Sequence, residues 1–147
     1  MNTLRKILLV EDSPNDAELA MEALAAIKLA NEVEWLKDGA EALDYLQGSG
    51  AYAGRALVSP ALIMLDLKLP KMDGREVLRE IRNDPRLRNI PVVVLTSSRE
   101  ESDLIGCYES GVNAYVVKPV NFGEFMDAVK SLGVFWAAIN EPQSMRV

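Results

Sequence analysis

Four short apolar runs in this chain each stop on a residue able to do chemistry. Glu11 and Asp12 follow Ile7–Val10, Asp66 follows 61–65, Thr96 follows 92–95, and Lys118 follows Ala114–Val117. A fifth run, Val33–Leu36, ends near Lys37 and offers no similar group. If the ends converge, the three carboxylates repel one another by about 4 kcal/mol per pair at roughly 4 Å and an effective dielectric near 20. Something positive must offset that repulsion. A hard divalent cation with oxygen ligands suits the set, Mg²⁺ in particular, because it keeps several waters and uses one or two carboxylates plus a phosphate oxygen. Lys118 supplies a second positive charge and Thr96 a hydroxyl donor. The chemistry that needs this combination is in-line phosphoryl transfer onto a carboxylate, in which catalysis is mostly positioning and charge neutralisation. Asp66, the only acid at the end of the middle run, is the expected nucleophile. Taken singly, each residue has a plainer reading: Asp66 and Thr96 as turn residues, Lys118 as a solvated charge, Glu11-Asp12 as a capping cluster. Their joint placement at four strand ends favours the chemical one.

Such a placement requires a sheet whose strands all end on one side. The five apolar runs alternate with helical patterns, which reads as βα repeated five times around a parallel sheet. Each expected helix opens on a capping residue followed three positions later by an acid: Ser13 and Asp16, Asp38 and Glu41, Asp73 and Glu76, Ser98 and Glu101, Asn121 and Glu124. Pro14 at the first helical position strengthens the first of these. In an α/β doubly wound sheet of order 2-1-3-4-5, the flavodoxin-like arrangement, the direction in which strands are added reverses between strands one and three. Ligands bind at that switch point, so Glu11, Asp12 and Asp66 are expected to meet there, flanked by Thr96 and Lys118. Leu19, Met21, Leu24, Ala25 and Ile27 crowd the first helix, and Val77, Leu78 and Ile81 stripe the third. Leu104, Ile105 and Tyr108 leave the fourth thinly anchored. Residues 48–60 read as an exposed loop, and Tyr115 as an aromatic on a half-buried strand.

The composition narrows the function classes. With 147 residues the chain suits one domain spanning 1–147, including a helical extension over about 133–147. A net charge of −6 argues against a nucleic-acid surface. No apolar run approaches a membrane span, and the one near the N-terminus is too short for a signal peptide, so no membrane partner is expected. The single cysteine, Cys107, fits a reducing cytoplasm. The absence of histidine excludes imidazole metal ligands, histidine-based triads and histidine as phosphoryl carrier.

The motifs ILLVEDS (7–13), LIMLDLKLPKMDG (62–74), VVVLTSS (92–98) and AYVVKPV (114–120) together resemble the response-regulator receiver domain of two-component signalling, in order and over nearly the whole chain. The resemblance implies Asp66 as phosphoacceptor, Asp12 and the backbone carbonyl of Lys68 as direct Mg²⁺ ligands, and Glu11 as a ligand through water. It also implies that Thr96 and Lys118 contact the phosphoryl oxygens and that Tyr115 is the aromatic that turns inward with Thr96. A narrower likeness, in VEDSPNDAELA (10–20), in the segment 69–96 and in Phe135-Trp136, is to the small regulators paired with bacterial and cyanobacterial phytochrome kinases. The implied partner is a sensor histidine kinase, a bacteriophytochrome on the narrower likeness. Two rival readings fit less well. A flavodoxin-like nucleotide binder wants a glycine- or hydroxyl-rich phosphate loop where this chain has EDSPND (11–16). A haloacid-dehalogenase-type hydrolase wants a second acid two residues after its nucleophile, and Lys68 stands there.

The stripe Phe122, Phe125, Val129, Leu132, Trp136 and Ile139 is spaced for one helix face, and its last members lie beyond where an ordinary receiver ends. A homodimer through this last helix is expected, and the regulators it resembles pair through the same face.

Overall fold

A run such as ILLV at Ile7–Val10 has no polar side to present to water, so it must be covered on both faces, and all four residues are buried. That requirement puts this strand, β1, inside the sheet. The structure is a computed structural model that describes residues 5–26, 32–55, 59–96, 106, 109, 111 and 114–117, with backbone alone for Ala23, Ala26, Thr96 and Ala114–Val117. β1 pairs in parallel with β2 (Val33–Leu36) on one side and with β3 (Leu62–Leu65) on the other. β4 (Val92–Thr96) and β5 (Ala114–Val117) follow, giving the order β2-β1-β3-β4-β5. The expected doubly wound topology is the observed one. β2 is an edge strand, and three of its four residues are only partly buried.

Strand alternation sorts the core into two layers. Leu8, Val10, Ile63, Leu65, Val92 and Val94 face α3 (Gly74–Asn83), whose Val77, Leu78 and Ile81 are fully buried, together with residues of α2 (Gly39–Gln47). Ile7, Leu9, Leu62, Met64, Val93 and Leu95 face α1 (Pro14–Ala26). The contact of α1 matches the expectation in part. Ala17, Ala20 and Leu24 are buried, Leu19 and Met21 only partly, and Ala25 is exposed. Leu19, Met21 and Leu24 thus touch the sheet layer as expected, and the addition is Ala17 and Ala20, small residues that a search for large apolar groups passes over. Ile27 and the greater part of the fourth helix lie outside the described residues, as do the caps at Ser98 and Asn121.

The three described caps are made. Ser13 Oγ accepts from the Asp16 amide at 3.3 Å, Asp38 Oδ1 from Glu41 at 2.7 Å, and Asp73 Oδ1 from Arg75 at 3.0 Å. At the far end of α3, Arg82 donates to the Gly111 carbonyl at 3.0 and 2.8 Å and to the carbonyls of Arg88 and Ile90 at 3.0 and 2.7 Å. One guanidinium thus ties α3, the following turns and the approach to β5 together. Burial pulls its pKa below the usual arginine value.

Within the expected loop over 48–60, residues 48–55 form defined turns, while 56–58 lie outside the described residues. Gly48 closes α2 in the left-handed region at φ 69, and Gly50–Tyr52 forms a 3₁₀ turn that folds back on the helix. Tyr52 meets Tyr45 edge-on with ring centroids 5.2 Å apart and donates to Glu41 Oε2 at 2.9 Å. The Arg55 guanidinium lies 3.8 Å above the Tyr45 ring and bonds the Tyr45 carbonyl. Two aromatics that shed water against each other explain the order.

Burial, followed by the bond to the Glu41 carboxylate, pushes the Tyr52 phenol up to about 12 from 10.0. Folding therefore favours its protonated form. This contribution is whole below pH 10 and disappears as the pH climbs through about 12. Urea midpoints measured across that window are expected to fall more steeply for the wild type than for Tyr52→Phe. Parallel curves would show that Tyr52 is not held in this way.

Candidate active site

The ladder hydrogen bonds run one step past the strands, and that step carries the acids into place. Glu11 donates from its amide to the Leu36 carbonyl at 3.0 Å, and Asp66 to the Val10 carbonyl at 3.0 Å. Because Val10 and Leu65 are register partners, Glu11 and Asp66 emerge side by side from adjacent strands. Asp12 follows at the rim. One carboxylate oxygen from each of Glu11, Asp12 and Asp66 lies within 4.8 Å of the others. Glu11 is 2% exposed and Asp66 6%, whereas Asp12 is open to solvent. At such separations each pair repels by about 3–4 kcal/mol before solvent screening. Two of the three acids lie where screening is weakest.

Local bonds hold this arrangement against the repulsion. Glu11 Oε2 accepts from the Ser13 amide at 3.2 Å, and α1 starts at Pro14, bringing the positive end of its dipole to the acids. Asp66 Oδ1 accepts from the Lys68 amide at 3.2 Å, a turn that sends the chain away from the strand. The Gly74 amide then closes the loop on the Leu67 carbonyl at 2.9 Å. A Cβ at Gly74 would sit 2.2 Å from the Asp66 carbonyl oxygen and 2.6 Å from Leu67 Cα, so no other residue lets α3 begin this close to the strand end. The loop is also braced from α2. Asp38, besides capping that helix, lies 3.5 Å from Lys71 Nζ, and Lys71 itself takes φ 68. Gly39 leaves room for the Met72 carbonyl, which would stand 2.4 Å from a Cβ there.

The three acids singled out in the sequence are thus brought together. Lys68 is exposed, two residues past Asp66. Thr96 ends β4 and pairs with Val117, and Tyr115 in β5 pairs with Val94, so both backbones stand on the strands beyond β3. Lys118 lies outside the described residues, as does the whole stripe from Phe122 to Ile139. Sequence reasoning missed two participants. The pair Asp73-Gly74 reads as a helix start, and its second role as a close-approach glycine carries no separate signal. Trp35 on β2 donates from its indole Nε1 to the Glu11 carbonyl at 2.7 Å, although the second strand had offered nothing to the site.

The donor set is chemically consistent. Three hard oxygen donors, two sunk and one at the rim, fit a small divalent cation of the Mg²⁺ or Mn²⁺ kind and no soft-metal site. Among the described residues, no helix is long and apolar enough to cross a membrane.

Comparison with known proteins agrees with this geometry. Residues 7–130 match the family model described as response regulator receiver domain. Response regulator Rcp1 of Synechocystis is 45% identical over 135 residues, covering 92% of this chain and 90% of that protein. The crystal structure of its Mn²⁺-bound form superposes with a TM-score of 0.81 over 92% of this chain and 96% of that one, at 44% identity. The phosphorylated cyanobacterial phytochrome response regulator RcpA gives 0.81 at 46% identity, covering 91% of this chain and 94% of that one. The bacteriophytochrome response regulator AtBRR gives 0.77 at 58% identity, covering 95% of this chain and all 100% of that one. This chain therefore belongs to the response regulator receiver family, the phosphorylation-driven switches of two-component signalling.

Proposed function

We propose that the chain accepts a phosphoryl group on Asp66 from a sensor histidine kinase and uses the resulting acyl phosphate as a signal. The observation that carries this is the meeting of Glu11, Asp12 and Asp66 within 4.8 Å, with Asp66 buried at the end of an inner strand. Its carboxylate oxygen attacks phosphorus, an O–P bond forms, the P–N bond to the donor imidazole breaks, and the leaving nitrogen keeps the electron pair. The donor imidazole must come from the partner, since this chain has none. Asp12, Asp66 and the backbone carbonyl of Lys68 would hold Mg²⁺, and Glu11 would act on it through water. When bound, the ion supplies the positive charge that lets three acids coexist and that screens the incoming phosphoryl oxygens. Thr96 and Lys118 contact those oxygens, and Tyr115 follows Thr96 inward.

The likeness to regulators whose names join them to phytochromes supports a phytochrome kinase as the partner, and the single cysteine, which suits a reducing compartment, supports the cytoplasm as the place of action. Residues 1–147 act as one receiver domain with a helical extension over about 133–147. Acetyl phosphate and Mg²⁺ together should add one phosphoryl group to the intact protein, read by mass spectrometry. No gain in mass under these conditions would end the proposal.

Two features of the switch can be tested separately. Lys68 is exposed beside Asp66, and a long side chain there can cover the path of water to phosphorus. Lys68→Ala is therefore expected to shorten the life of the phosphoprotein. Decay at the wild-type rate or slower would show that Lys68 shields nothing. The second feature is a homodimer through the stripe from Phe122 to Ile139, supported by its unbroken spacing. Light scattering should find a dimer for the whole chain and a monomer for one ending at Gly133. A monomeric whole chain contradicts this assembly.

A further inference from the structure

The strand that seemed to contribute nothing to the crevice reaches it through one bond. Trp35 is the register partner of Leu9 on β1, so its side chain lies on the α1 side of the sheet, where it packs half-buried against that layer of the core. From there the indole reaches two residues further along β1 and donates to the Glu11 carbonyl at 2.7 Å, a short bond for an N–H donor. Lys37 Nζ stands 5.3 Å above the same ring. Glu11 is consequently held at three points: its amide by Leu36, its carboxylate by the Ser13 amide, and its carbonyl by Trp35. The carbonyl belongs to the peptide that joins Glu11 to Asp12. Fixing the plane of that peptide sets the direction in which Asp12 leaves the strand. Since Asp12 is the exposed member of the cluster, packing alone does little to orient it.

We propose that Trp35 is a positioning residue for the crevice, its indole N–H locking the Glu11–Asp12 peptide so that both carboxylates are poised for a divalent cation. The inference rests on reading the crevice as a cation site. The indole's packing could be supplied by phenylalanine, but its hydrogen bond could not, and this separates positioning from mere core filling. Trp35→Phe keeps a ring in the layer and removes the donor. Outer partners that orient metal-binding groups typically matter by tenfold or more in affinity.

Calorimetric titration of the full chain with Mg²⁺ provides the test. Trp35→Phe should weaken Mg²⁺ binding about tenfold, while Lys37→Ala, which removes only the charge above the ring, should bind as the wild type does. In the wild type, the indole N–H resonance of Trp35, assigned by its persistence in Trp136→Phe, should shift as Mg²⁺ is added. If the wild type binds Mg²⁺ but Trp35→Phe binds within about twofold of it, the role given to Trp35 is wrong and the cation site stands. If the wild type does not bind Mg²⁺, the cation reading fails and this inference falls with it. Should Trp35→Phe not fold, the resonance decides alone: an indole signal unmoved by saturating Mg²⁺ overturns the proposal.

Discussion

Asp66→Asn is expected to abolish phosphorylation by acetyl phosphate while leaving the protein folded and harder to melt. The amide is nearly isosteric with the carboxylate and can still accept from the Lys68 amide, so the turn after β3 survives. What it lacks is a nucleophilic oxygen carrying negative charge, and neither remaining acid is equivalent. Glu11 is 2% exposed and bound by the Ser13 amide, while Asp12 stands at the rim on the neighbouring strand end. Mass spectrometry on wild type and variant under identical acetyl phosphate and Mg²⁺ should give one adduct and none. An adduct of undiminished yield in Asp66→Asn would move the acceptor elsewhere.

The second large effect concerns stability and follows from the same crowding. Without a cation, three carboxylate groups within 4.8 Å of one another oppose folding, so deleting one charge should stabilise the protein. The gain is expected at about 1 kcal/mol for Asp12→Asn, whose exposure lets water screen the repulsion, and nearer about 3 kcal/mol for Asp66→Asn. For a chain of this size these correspond to melting temperatures raised by roughly 3 to 10 °C. Mg²⁺ should reverse the order of benefit. At about one hundred times its dissociation constant it adds about 2.7 kcal/mol to any form that keeps the site, so the wild type should gain most and both variants little. Thermal melts with and without Mg²⁺ check both halves, and equal responses from all three proteins would argue that the acids do not share an ion.

Several parts of this molecule were legible because their causes are local. A capping residue with an acid three positions on acts within a single turn, and the caps at Ser13, Asp38 and Asp73 all formed. An all-apolar run must be covered on both faces, which made the inner strands recognisable at Ile7–Val10 and Leu62–Leu65. The site acids were visible as the polar stops on those runs.

Other features depend on which segments meet, and no local pattern carries that information. The close approach of α1 falls on Ala17 and Ala20, small residues that become core only because the sheet lies beside them. Tyr52 is ordered by Tyr45 and Glu41 across a turn that read as loop. Gly74 is required because the backbone of Asp66 occupies the space its side chain would take. Trp35 became part of the site through a bond to a carbonyl 24 positions earlier in the chain. The sequence by itself determined the five strands, the three described α-helices and the acids at the ends of β1 and β3, since each arises from the properties of neighbouring residues. Tertiary structure alone decided the depth of each acid, how closely the helices approach and which side chain holds the Glu11–Asp12 peptide, because distances between separate segments are settled only when the whole core packs at once.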